Sequence, residues 1–267
     1  MKDTSKWVQT FKSPSPQSEI IARIICFPFA GGGTQSYADW VEYLPNNIEV
    51  CAVRLPGREL RINEKPYKSL AELLDEIIDK QILKPYLDKP FFLFGHSLGA
   101  LIAYELAVCL QQKNISPISL IISGRVAPHR KSPREPVYQL PIGEFVEALR
   151  SLGGTPPEVL GDEELMSIVI PVLRADFEIN EGYEYRENPK LTCDLVAFAG
   201  TSDNETQREA VLDWADLTSE EFKPRMVPGD HFFIQNVKRQ FLRMLSIELL
   251  NSYQRIKKIN VQSESNN

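Results

Sequence analysis

Short apolar runs alternate along the chain with longer stretches of helical periodicity. The runs IIARIICFPF from Ile20, IEVCAVRL over Ile48–Leu55, FFLF over Phe91–Phe94, ISLIIS over Ile118–Ser123 and CDLVAFAG over Cys193–Gly200 are largely apolar and are bounded by Gly, Pro or Asn. Such runs predict strands covered on both faces, and FKPRMV over Phe222–Val227 is a weaker sixth. Between them, SLAELLDEIIDKQILKPYL places Leu70, Leu73, Leu74, Ile77, Ile78 and Leu83 on one helical face. LGALIAYELAVCLQQ, ETQREAVLDWADL and FIQNVKRQFLRMLSIELL repeat that period. Strands alternating with helices predict an α/β fold built on a mostly parallel central sheet with right-handed crossovers.

The alternation breaks once. From Arg125 to Arg186 the pattern is helical only, in IGEFVEALRSL and DEELMSIVIPVLRADFEI, with GGTPPEVLG between them. An all-helical insertion between two sheet strands is placed to cover an active site, because loops at the carboxyl ends of strands build such sites. The expected division is a flexible tail over 1–17, which carries two Ser-Pro steps, a core over 18–124 and 187–256, a helical lid over 125–186, and a disordered tail over 257–267. Apolar lid positions, among them Phe145, Leu149, Leu165, Ile168, Val172 and Phe177, are expected to pack the lid.

Composition narrows the function by exclusion. A net charge of -6 leaves no broad basic surface for phosphates, so nucleic acid is not an expected partner. The N-terminus has no apolar signal segment, and His96, Ser97, Glu105 and two glycines interrupt the one run long enough to suggest a membrane span. A cytoplasmic protein that does not enter a membrane is expected. Cys26, Cys51, Cys109 and Cys193 stand singly, with no metal-ligand spacing, and read as small core residues in a reducing compartment. No metal is expected.

The run Phe91–Leu110 carries the chemistry. FFLFGHSLG fits G-x-S-x-G with a strand before it and a helix after it, the context that makes the motif a nucleophile elbow. A serine on so sharp a turn is held with its hydroxyl exposed, and the residues two before and two after approach too closely for side chains, hence Gly95 and Gly99. Only three histidines are available as a base. His96 adjoins Ser97 and points away from it, His129 lies in the inserted region, and His231 in VPGDHFFIQ follows the last strand. The α/β-hydrolase order of serine, acid, histidine selects His231. The acid expected is Asp203, on the loop leaving CDLVAFAG, ahead of Asp176 in the lid, Asp194 at the wrong end of its strand, Asp213, Asp216 and Asp230. Oxyanion-hole donors are expected from the backbone N–H of Leu98 and from the loop Phe29–Gly33, at Ala30 with Phe29 as the neighbouring alternative. The glycines of that loop match neither nucleotide-binding pattern. The triad alone leaves open whether a thiol, an alcohol or an amine departs.

Taken in order, FPFAGGGTQSYADW, VRLPGRELR, FGHSLGALIAYELA, LGGTPPEVL, PVLRADF and PGDHFF resemble the type II thioesterases, the discrete hydrolases that work beside polyketide and non-ribosomal peptide synthetases. The resemblance runs from about Ile24 to Phe233. It implies an α/β-hydrolase fold with a helical lid, Ser97, Asp203 and His231 as the triad, no cofactor of its own, and a substrate acyl group carried on the phosphopantetheine arm of an acyl or peptidyl carrier domain. It implies removal of stalled acyl groups or product release in antibiotic biosynthesis, and a monomer. Two positions depart from the family pattern: Cys193-Asp194 stands where Cys-Pro is usual, and Gly229-Asp230-His231 where Gly-Gly-His is usual. Arg125, Arg130, Lys131 and Arg134 form a basic strip that could steer an acidic carrier domain, or be a solvated loop. LPGRELR has no assigned chemistry beyond holding the edge of the site. The competing readings are a carboxylesterase or lipase on the same fold, an acyltransferase or cyclase, and a catalytically silent binding protein.

Overall fold

The computed structural model describes residues 6–12, 19–130 and 134–265. Its seven-stranded sheet has the order β1-β3-β2-β4-β5-β6-β7. The strands are β1 (Val8–Phe11), β2 (Ala22–Phe27), β3 (Ile48–Val53), β4 (Phe91–His96), β5 (Ser119–Ser123), β6 (Asp194–Gly200) and β7 (Phe222–Val227). Every pairing is parallel except β1 with β3. All six expected strands are present. The seventh, β1, falls inside the stretch expected to be a flexible tail: Val8 pairs with Val53 and Phe11 with Val50, and Trp7 is buried. Four residues carry too little pattern to signal a strand; the open edge of β3 supplies the hydrogen bonds that define it.

The helices are α1 (Leu70–Asp79), α2 (Leu98–Gln111), α3 (Ile142–Leu152), α4 (Pro157–Leu160), α5 (Glu163–Glu181), α6 (Arg208–Leu212), α7 (Phe233–Asn236) and α8 (Lys238–Ser265). Ser69 caps α1 by accepting from Glu72 N–H, and Asp162 caps α5 by accepting from Leu165 N–H. The helix α8 continues through 257–265, where a disordered tail was expected. None of the described helices is long and apolar enough to cross a membrane.

Alternate strand residues feed two cores, as the two-residue period of a strand requires. Ile25, Phe27, Leu93, Leu120 and Ile122 face α1 and α2 on one side. Ile24, Cys26, Phe92, Phe94 and Val196 face Trp40, Phe241, Leu245 and Leu249 on the other. A third cluster joins Phe145, Leu149, Met166, Leu173 and Phe177 of the region between β5 and β6. Leu165 and Ile168, expected to pack there, lie 43% and 46% exposed on the outer face of α5.

Register is what positions the site. Phe27 pairs with Gly95, His96 with Ser123, Ser123 with Phe198 and Gly200 with Val227. The carboxyl ends of β2, β4, β5, β6 and β7 therefore lie along one edge, and the loops that follow them converge.

Candidate active site

Ser97 sits between β4 and α2 with φ 53° and ψ -113°, in backbone space that a side chain rarely adopts. Packing over-determines that conformation. A Cβ on Gly95 would lie 1.9 Å from the Gly99 carbonyl oxygen, and one on Gly99 would lie 2.1 Å from that of Phe27. The Ser97 N–H donates to the Ser123 carbonyl at 2.8 Å, tying the elbow to the end of β5. Leu98 opens α2, so its N–H has no intrahelical acceptor and lies at the positive end of the helix.

His231 follows β7, and its Nδ1 lies 2.9 Å from Asp203 Oδ2 on the loop after β6. The other carboxylate oxygen, Oδ1, accepts the N–H of Glu205 at 2.8 Å and of Thr206 at 3.2 Å. Burial works against the charge on Asp203, but the hydrogen bond from His231 and these N–H donors outweigh it and hold the carboxyl below its usual range. Burial likewise opposes a charged His231; the hydrogen bond to Asp203 and its negative charge prevail and raise the imidazole above the ordinary 6.5. With Nδ1–H committed to the carboxylate, Nε2 is left as the proton acceptor. Gly200 lets the two loops meet, because a Cβ there would lie 2.5 Å from the carbonyl oxygens of Gly229 and Asp230.

The rejected acids are engaged elsewhere. Asp194 pairs with Arg255 at the far end of β6, Asp213 pairs with Arg130, and Asp216 is exposed. Asp230 is exposed, accepting from Phe232 N–H and Asn236. Asp176 is buried in an ion pair with Arg58. Of the other histidines, His96 is fully buried, its Nδ1 2.9 Å from Ser123 Oγ and its ring 5.0 Å from that of His231. Burial, then the adjacent His231, hold it well below its ordinary value, so it is neutral. His129 is exposed and packs against Tyr185.

Two cavities meet at Ser97. The smaller, about 50 Å³, is lined by Ala30, His231, Leu149, Leu173, Phe177 and Phe232. The larger, about 530 Å³, is lined by Arg125, His129, Arg130, Arg134, Tyr183 and Glu205. Three members of the basic strip, Arg125, Arg130 and Arg134, line this larger cavity. Arg125 bonds to Asn180 and Arg134 pairs with Glu181 and Glu205, both drawn inward by these partners, while Arg130 is exposed. Lys131 lies outside the described residues. Among the described residues no cluster of His, Cys, Asp or Glu is arranged to hold a metal ion.

Sequence reasoning missed the way the Phe29–Gly33 loop is held. Gly31 N–H donates to Asp176 Oδ2 at 2.8 Å, and Gly32 N–H to the Phe29 carbonyl at 2.8 Å. Arg58 reaches the Gly32 carbonyl at 2.9 Å, and Glu59 accepts from Thr34 N–H and Oγ1. The motif LPGRELR thereby acquires a role, as the support beneath this loop. Its charge pattern was visible, but its distant partner Asp176 was not.

Comparison with known proteins agrees with this arrangement. Residues 22–248 match the family model described as thioesterase domain. The gramicidin S biosynthesis protein GrsT of Aneurinibacillus migulanus is 38% identical over 93% of this chain and 96% of its own length. Thioesterase PikA5 of Streptomyces venezuelae is 34% identical over 93% and 87%. The solved structure of the type II thioesterase BorB from the borrelidin biosynthetic cluster superposes with a TM-score of 0.81 at 32% identity, covering 91% of this chain and 97% of that one. With that sequence match and this hydrolase geometry in agreement, the chain belongs to the thioesterase family, among the type II thioesterases of the α/β-hydrolase fold.

Proposed function

We propose that this protein hydrolyses acyl thioesters carried on the phosphopantetheine arm of carrier domains, with Ser97, His231 and Asp203 as its catalytic triad. The observation that carries the reading is Ser97 on a strained elbow, lining one cavity with a His231 that is paired to Asp203. His231 Nε2 takes the Ser97 proton as Oγ attacks the thioester carbonyl. The N–H groups of Leu98 and Ala30 bear the oxyanion. Collapse breaks the C–S bond, the sulfur takes the proton from the imidazolium, and an acyl-serine remains. Water, deprotonated by His231, attacks it; Ser97 recovers its proton as the acid departs. Asp203 stays ionised throughout and stabilises the cationic imidazole.

The two cavities suggest where the halves of the substrate lie. Leu149, Leu173 and Phe177, which line the smaller one, suit the acyl chain, and the larger one, which shares Arg134, Asn180 and Glu205 with it, has room for the hydrogen-bonding arm.

The test is hydrolysis of one acyl group presented on a phosphopantetheinylated carrier, on free pantetheine, and as a simple oxygen ester. A preference for the carrier-bound thioester is expected. Equal or better turnover of the oxygen ester would replace this reading with a general esterase.

A pH profile follows from the Asp203–His231 pair. The base works only when neutral, and its protonation is raised by Asp203, so activity should fall as pH drops through a value above 6.5. Asp203→Asn removes the charge and moves that limb to lower pH, with a loss in kcat of roughly 10⁴-fold. An unshifted limb in that variant would exclude Asp203 as the partner that sets the base.

A further inference from the structure

The inserted region reaches the proposed oxyanion hole through one buried carboxylate. Asp176 on α5 is 1% exposed and accepts three hydrogen bonds. Oδ2 accepts Gly31 N–H at 2.8 Å and Arg58 Nη1 at 2.9 Å, while Oδ1 accepts Arg58 Nη2 at 2.7 Å. The same Arg58 Nη1 also donates to the Gly32 carbonyl at 2.9 Å. The loop is therefore gripped through both an N–H and a C=O by a single ion pair. Leu173, one turn earlier on α5, closes the contact: Gly31 has φ +74°, and a Cβ there would lie 2.6 Å from Leu173 Cδ2.

We propose that Asp176 is a positioning residue for hydrolysis: from the inserted helix it shapes the 29–33 loop so that Ala30 N–H is presented to the reacting carbonyl oxygen. Docking of α5 and completion of the oxyanion hole are then one event. This rests on the thioesterase reading above and on Ala30 as a donor. The chemistry of the pair supports a positional role. A buried ion pair adds little net stability, because desolvation of both charges offsets their attraction, but its directional bonds fix geometry. Moving α5 outward would break the Gly31 bond and leave Arg58 buried opposite no charge. Both costs hold the helix down while the site is assembled. The competing description is a structural tie that holds α5 to the core without affecting the transition state.

The two descriptions separate experimentally. The variants are Asp176→Asn, which is isosteric but cannot satisfy all three donors, and the double variant Asp176→Leu/Arg58→Met, which removes both buried charges so that neither is stranded. The double variant keeps the test available if a single charge removal prevents folding. Three quantities are measured: kcat and KM on an acyl-loaded carrier, inhibition by an alkyl boronic acid that forms a tetrahedral anionic adduct on Ser97, and amide exchange at Gly31. Positioning requires kcat to fall by roughly 10–100-fold in the double variant, with KM changed by less than about threefold. Boronate affinity should fall in parallel, Gly31 exchange should accelerate, and Asp176→Asn should lie between. Unchanged kcat and boronate affinity with accelerated Gly31 exchange would overturn the proposal, as would a rise in KM alone. If the wild-type chain does not hydrolyse the carrier thioester, the substrate reading fails, and the boronate and exchange comparison still decides the role of Asp176.

Discussion

Replacing Ser97 with alanine is expected to lower kcat/KM for the carrier-bound thioester by at least ~10⁴-fold while leaving the fold intact. Among the described residues its hydroxyl is the only one that lines both cavities, whereas the elbow itself is held by backbone contacts that alanine keeps. Residual turnover would come from the oxyanion donors acting on water. A second substitution separates chemistry from strain. Ser97 lies at φ 53° and ψ -113°, so Ser97→Gly should be equally inactive yet more stable, by roughly 1–3 kcal/mol. Urea midpoints of wild type and both variants, measured beside their activities, check this. Activity surviving in Ser97→Ala would remove Ser97 as the nucleophile. A destabilised Ser97→Gly would mean that the elbow is not strained.

The second large effect is on folding. Gly99→Ala should cost more than ~3 kcal/mol, a large share of a stability of ~5–15 kcal/mol, and yield little soluble protein. Its Cβ would meet the Phe27 carbonyl oxygen at 2.1 Å, the Phe27 carbonyl carbon at 2.6 Å and the Pro28 carbonyl oxygen at 2.8 Å. All are backbone atoms at the end of the interior strand β2, so no side chain can swing aside. Gly95→Ala meets the backbone of Gly99 at 1.9 Å and should fail in the same way. Gly143→Ala is the control: nothing lies within 4 Å of its Cβ, and it should stabilise α3 by roughly 0.5–1 kcal/mol. A soluble Gly99→Ala with a wild-type urea midpoint would refute the account of the elbow as a close crossing of β2, β4 and α2.

Most of the sheet was legible because parallel strands covered on both faces announce themselves as continuous apolar runs. Even the weak run Phe222–Val227 proved to be a strand, β7, despite the Pro224 that its edge position tolerates. Val8–Phe11 was not legible, since it depends on what β3 offers rather than on its own pattern. The long periodic segment near the C-terminus was readable as helix, but not its interruption at Val237, between α7 and α8. In the inserted region, helical period was clear while the buried face was not. Phe145 and Phe177 turn inward, whereas Leu165 and Ile168 turn out, because the neighbours that select a face come from elsewhere in the chain.

The site divides along the same line. Ser97 and its flanking glycines form a local motif, and short-range sterics write such a motif into consecutive residues. His231 followed from chain order and from the scarcity of histidines. The pairing of Asp203 with His231 joins residues 28 apart, and chain order alone anticipated it. The basic strip was legible as a run of cations, but such a run says nothing about the carboxylates that will face it. Glu181 and Glu205 take Arg134 inward, and Asn180 takes Arg125.

The sequence by itself determined the class of fold, the elbow and the set of groups from which a triad could be drawn, since these depend on residue type and short spacing. Only the tertiary structure decided that Asp176, 118 residues from Arg58, grips the loop at Gly31, and that two unlike cavities meet at one serine. The physical reason is that desolvation and hydrogen-bond completion are settled among neighbours in space, and in a parallel α/β fold those neighbours are supplied by crossovers far apart in the chain.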